Sequence, residues 1–236
     1  MGQDVGACWI CGALGDSAEH RLKRSDARAT FGPVSQAQPL YIHTRSAKNV
    51  RLNSVNAAVL KFSERLCEDC NTRRTQPFDR AWERLSRVIR EQEPSILDAG
   101  GFDPRRVFGE TAEVDMLHMH LFFVKLTLGQ IVSSGSNIDR QPFRDALMNV
   151  GALNSLFLKF CIYQEYDQTP MAGQFDVQEW RDPESGEPIR MGWNYLPGSR
   201  IELEILWTTT QEAFLGAWRP GSDSSWISVH TIPPEA

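Results

Sequence analysis

Two Cys-x-x-Cys pairs, Cys8/Cys11 and Cys67/Cys70, constrain this chain more than any other feature, because 55 residues must loop out and return before the four thiols can meet. Two-residue spacing lets a single turn present both sulfurs to one ion, and two such turns complete a tetrahedral zinc site. Gly12, directly after the first pair, supplies the positive φ that such a turn often needs. One pair alone is a weak signal, and two together are a strong one. The stretch Met1-Gly2-Gln3-Asp4-Val5-Gly6-Ala7 has neither the basic head nor the apolar run of a secretory leader. Gly6 also stands where a myristoylation signal needs Ser or Thr. A cytoplasmic protein is therefore expected, and its paired thiols read as metal ligands or a redox couple rather than a disulfide framework. The redox reading wants one pair inside a β-α-β unit, which is not the pattern here. Cys161, between Phe160 and Ile162, reads as a small buried hydrophobe.

Composition excludes several classes. With 41% apolar residues and seven tryptophans the chain is that of a folded globular protein. The most apolar stretch, 116–132, contains His118, His120, Lys125 and Gln130 and reads as too polar to cross a bilayer, so no membrane partner is expected. The net charge of -5 conceals an asymmetry. Residues 1–90 hold 15 Lys and Arg against nine Asp and Glu, a net of +6, whereas residues 91–236 hold ten against 21, a net of -11. A basic segment joined to an acidic one predicts two functional parts, the first favouring an anionic partner.

The pattern predicts three regions: a zinc-binding domain over 1–93, a Pro/Gly-rich linker over 94–109, and an α+β domain over 110–236. Within the first, Glu19-His20 is followed by Arg21, Lys23, Arg24 and Arg28, a crowd of cations suited to phosphate. The competing reading is a surface histidine beside a solvated basic helix. Short strands are expected at 40–43 and within 49–62. A helix is predicted from about Cys70, with Phe78, Trp82, Leu85 and Ile89 in one apolar stripe and a break or restart at Pro77. His43 reads as structural. In the second part a long helix is expected over 110–132, with Val114, Leu117, Leu121, Val124 and Leu128 on one side. His118 and His120, two apart on that helix, point in different directions and make a poor metal pair. A shorter helix over 139–150 follows. Strands are then expected at 156–165, 174–180, 189–195, 200–207, 213–218 and 226–232, forming an antiparallel sheet.

The order Cys-x-x-Cys, Glu19-His20, two extended segments, then Cys-x-x-Cys-Asn71 opening a helix resembles the zinc-knuckle branch of the HNH, or His-Me finger, endonucleases. The resemblance covers roughly residues 8–92. It implies an α+β chain whose first domain is a zinc-stabilised ββα-metal unit, with Cys8, Cys11, Cys67 and Cys70 on a structural zinc. It implies His20 as general base, with Glu19 and Asn71 on a catalytic divalent cation such as Mg²⁺. The implied substrate is nucleic acid, DNA foremost, contacted by Arg21, Lys23, Arg24, Arg73 and Arg74. The family's second-strand asparagine has its nearest counterparts here in Asn49, Asn53 and Asn56. The alternative is an inactive HNH-like module that binds nucleic acid or protein. The acidic second half is the expected surface for a protein partner.

Overall fold

The computed structural model describes residues 6–43, 48–163, 171–174, 177–210, 214, 216–222 and 225–232. The fold is mixed α+β. Strand β1 (Ser17–His20) leads into helix α1 (Arg24–Phe31), and a small antiparallel ribbon follows, β2 (Leu40–Ile42) with β3 (Val50–Leu52). Strand β4 (Lys61–Leu66) then returns to pair antiparallel with β1. Between the pairs Ala18↔Arg65 and His20↔Lys61 the first strand has one intervening residue and the second has three, so β4 bulges opposite Glu19.

A wide helical turn, Asp69–Arg74, starts inside the second cysteine pair and stops at buried Thr75. Helix α2 (Gln76–Glu91) then begins afresh. Pro77 lies in its first turn, where a missing N–H leaves no bond unmade, which accounts for the predicted restart. Phe78, Trp82, Leu85 and Ile89 are all buried on one face, as their spacing predicts.

Residues 94–109 are not an open connector. They contribute helix α3 (Glu93–Ala99), strand β5 (Gly101–Phe102) and helix α4 (Pro104–Phe108), and Ile96, Phe102, Val107 and Phe108 are buried. The long helix α5 (Ala112–Ser134) carries no single apolar face. From Met119 to Ile131 it is buried on every side, whereas Val114, expected in the stripe, is 54% exposed. One side packs on α2, where Trp82 stacks on Phe122 at 5.7 Å. Another packs on the sheet, where Phe123 meets Tyr195 at 5.6 Å and the Trp193 indole donates to Thr127 at 3.2 Å. A third closes on β4, an approach only glycine allows, since a Cβ on Gly129 would lie 2.8 Å from the Phe62 ring. By length and composition a helix spanning Pro104–Ser134 is apolar enough to cross a membrane, contrary to the sequence expectation, but the apolar window is 83% buried inside the protein. The apolarity of α5 thus serves the core.

Helix α6 (Gln141–Asn149) precedes strands β6 (Leu156–Tyr163), β7 (Ala172–Gln174), β8 (Gln178–Arg181), β9 (Pro188–Pro197), β10 (Glu202–Thr208) and β11 (Ile227–Ile232). They form one seven-stranded sheet in the order β5-β11-β6-β10-β9-β7, with β8 also on β9. The expectation of a purely antiparallel sheet fails at one place: β11 runs parallel to β6. The span 174–180 contributes to two strands rather than one, with residues 175–176 outside the described set. The strand expected at 213–218 is reduced, among the described residues, to a bridge between Trp218 and Leu158; residues 211–213 and 215 lie outside them. Residues 164 and 165 of the first expected strand also lie outside.

The apolar residues of both halves belong to one cluster, which runs from Cys8 and Phe62 through Trp82 and Phe123 to Leu203 and Ile227. Buried Asp26 fastens three elements: it accepts from the Trp82 indole at 2.8 Å, the Ser86 hydroxyl at 2.9 Å, the Arg90 guanidinium at 2.7 Å and the Tyr195 hydroxyl at 2.8 Å.

Candidate functional site

The two cysteine pairs meet. The first lies on a small loop whose ends bridge at Ala7 and Leu14, closed by the Gly12 amide on the Cys8 carbonyl at 2.8 Å, with Gly12 at φ 80°. This loop docks along β4, where the Trp9 amide reaches the Arg65 carbonyl at 3.4 Å and the Asp16 amide the Leu66 carbonyl at 2.9 Å. The second pair follows β4 directly. All four sulfurs lie within 4.8 Å of one another, and those of Cys11 and Cys67 are 3.5 Å apart. A tetrahedral thiolate site with arms of about 2.3 Å needs sulfurs about 3.8 Å apart, so the donor set fits a metal ion such as zinc. Burial pushes the Cys67 and Cys70 thiols up. At Cys11 burial acts in the same sense, but hydrogen bonding from Ala13 and the other three thiols holds the thiol below the ordinary range. Such a ladder of affinities is what one cation shared by four sulfurs relieves.

The segment β1 runs from this cluster to His20. One imidazole nitrogen bonds the backbone of Val55, in the loop after β3, while Nε2 is shielded from solvent with no hydrogen-bond partner. With Nε2 unpartnered, Nδ1 is the nitrogen left for the Val55 bond, which favours the protonated ring. Burial, then the charges of Arg24, Lys61 and Lys23, bring the His20 pKa down to about 4. At neutral pH the ring is uncharged and faces cations.

Glu19, adjacent in sequence, points the other way. Its carboxylate is buried and lies 3.2 Å from the ammonium of Lys125 on α5, which also reaches Asp79 at 2.8 Å and the Thr75 hydroxyl at 3.4 Å. Burial alone would lower the Lys125 pKa, but Asp79 and Glu19 hold the ammonium above the usual lysine range. The alternation of a strand sends neighbouring side chains to opposite faces, so the residue beside the histidine is given to the core. Glu19 does not fit the role of a cation ligand in this arrangement. Asn71 is tied to β1: its Nδ2 donates to the Ser17 hydroxyl at 2.7 Å and to the Ala18 carbonyl at 3.4 Å.

The predicted basic contacts divide. Arg21 is tied to the Lys61 carbonyl at 3.3 Å and to Gln130 at 3.1 Å, with its guanidinium 4.5 Å over Phe62. Lys23 pairs with Asp79 at 3.4 Å and Glu83 at 3.2 Å. These two hold the fold together. Arg24 is exposed and caps Asn56 at 3.3 Å, next to the Val55 that orients the imidazole. Asn56 thus steadies the histidine's loop from a position well upstream of β4. Arg73 and Arg74 both pair with Asp69, Arg74 at 3.7 Å. Lys125 and Val55 had no local signal: the lysine lies 106 residues from Glu19, and Val55 contributes only a carbonyl.

No protein-family model, curated protein or solved structure matches this chain.

Proposed function

We propose that the chain is an HNH-type endonuclease hydrolysing phosphodiester bonds in DNA, with His20 as general base and a structural zinc on Cys8, Cys11, Cys67 and Cys70. One observation carries this reading: the buried Nε2 of His20 has no hydrogen-bond partner and lies in the field of Arg24, Lys61 and Lys23, on a strand fastened beside the cysteine cluster, so that substrate binding has to uncover it. In the reaction a water oxygen forms the new bond to phosphorus and its proton passes to Nε2. The ester P–O bond breaks, and the departing oxygen takes its proton from solvent. Burial is the first cause of the lowered His20 pKa, and a bound phosphodiester would offset the second, the charges of Arg24 and Lys61. A divalent cation at Asn71 and the substrate phosphate would supply Lewis-acid stabilisation of the developing charge.

A second reading, a zinc-stabilised module that binds without cutting, is favoured by one contact, the sequestration of Glu19 by Lys125. Plasmid DNA incubated with the purified protein and Mg²⁺ or Mn²⁺ separates the two. Nicking is expected in the wild type and should be lost in His20→Ala, with circular dichroism and zinc content unchanged. Cleavage that survives in His20→Ala would refute the base assignment, and a folded wild type that never cuts would leave the binding module.

A further inference from the structure

From Ala27 to Ser63 the chain contains no Asp or Glu, although 30 of its 236 residues are acidic, while Arg28, Arg45, Lys48, Arg51 and Lys61 fall in the same stretch. This stretch is the excursion between β1 and β4, and its centre is the ribbon β2–β3. The ribbon is two-faced. Leu40 pairs with Leu52 and Ile42 with Val50, and these four are buried or half-buried. On the opposite face Tyr41 stands directly across from Arg51, both exposed, with Tyr41 at 53%. Lys48 is exposed just before β3, beside Asn49, whose φ of 56° turns the chain back. Arg51 donates to the Gln36 carbonyl at 2.8 Å, which holds its guanidinium at the surface, and no carboxylate stands on this face to neutralise it.

The ribbon is also fixed relative to His20. Three residues after its last strand position, buried Val55 bonds the imidazole, and three residues of chain span at most about 11 Å. Leu52, 5% exposed, anchors the ribbon's foot, and the Arg24–Asn56 bond ties the same loop to α1. Arg24, Arg28, Lys48 and Arg51 are all exposed, and Arg24 is close enough to lower the His20 pKa.

We propose that the β2–β3 ribbon is a DNA-binding arm that lies in the major groove of a duplex, Arg51 and Lys48 gripping backbone phosphates while the duplex backbone reaches His20. This rests on the nucleic-acid reading above and specifies its substrate as double-stranded DNA. A B-form major groove about 12 Å wide admits a two-stranded ribbon, whereas the major groove of duplex RNA is too narrow and deep for side chains to read.

The test uses the full chain and a fluorescein-labelled DNA duplex, with binding followed by anisotropy in buffer without added divalent cation. Lys48→Ala/Arg51→Ala is expected to bind about tenfold more weakly and to lower the slope of log K against log salt by about 2, the value for two lost phosphate contacts. Lys48 is exposed and Arg51 gives up one exposed hydrogen bond, to the Gln36 carbonyl, so the double variant should stay folded, as circular dichroism would check. Wild-type affinity and salt slope in the double variant would overturn the arm, as would a wild type that ignores the DNA duplex or prefers the matching RNA duplex. Ribbon-dependent binding without cleavage keeps the arm and refutes the nuclease, while ribbon-independent cleavage does the reverse.

Discussion

Glu202 and His20 show how burial sets charge at single residues with opposite consequences. Glu202, Cys161 and His230 stand side by side across β10, β6 and β11, on the sheet face turned away from α5. The Oε2 of Glu202 is buried without a partner, and burial raises its pKa to about 7 against a hydrogen bond with Asn194. Because the folded value lies above the unfolded one, this carboxyl's contribution is complete below its ordinary range and is lost as pH rises through about 7. Glu202→Gln should therefore leave the melting temperature unchanged at acid pH and raise it by a few degrees above neutrality, as thermal melts across a pH series would show. An equal shift at every pH would refute the assignment. His20 has the opposite sign: with its pKa near 4, stability falls as pH drops from the ordinary histidine range toward that value.

Beside its apolar packing on α2, helix α5 makes buried ion pairs to β1 and α2 through one atom, the Nζ of Lys125, held between Glu19 and Asp79. Removing one partner of such a pair leaves an uncompensated buried charge, at a cost of about 3–5 kcal/mol. Lys125→Met should lower stability by that amount in urea titrations. Adding Glu19→Gln should recover part of the loss, because it removes the charge left behind and Asp79 keeps Lys23 at 3.4 Å. Strictly additive losses would mean the two residues are not coupled. If Glu19 instead binds a catalytic cation, Glu19→Gln will lower cleavage at a fixed Mg²⁺ level without stabilising Lys125→Met.

At the scale of the molecule, Asp26 joins α1, α2 and β9 through four donors, one of them charged. Asp26→Ala removes the carboxylate from the Arg90 guanidinium, 16% exposed and left with the Pro197 carbonyl at 2.9 Å, and from three further donors, so about 3–5 kcal/mol should be lost. The urea midpoint should fall with no change in slope, since both halves share one core. Two separated transitions would show that the halves unfold independently. The sequence by itself determined the meeting of Cys8, Cys11, Cys67 and Cys70, because a repeated Cys-x-x-Cys spacing is the pattern of two turns closing on one metal ion. It also determined α2, whose apolar residues recur at helical spacing, and β10, where Ile201, Leu203 and Ile205 alternate with Glu202 and Glu204. Only the tertiary structure decided that Glu19 turns from His20 toward Lys125, that α5 is covered on all sides, and that 94–109 is part of the core. The reason is physical: spacing and periodicity report on neighbours within a few residues, whereas a buried charge and the covering of a helix depend on partners a hundred residues away, which no local pattern records.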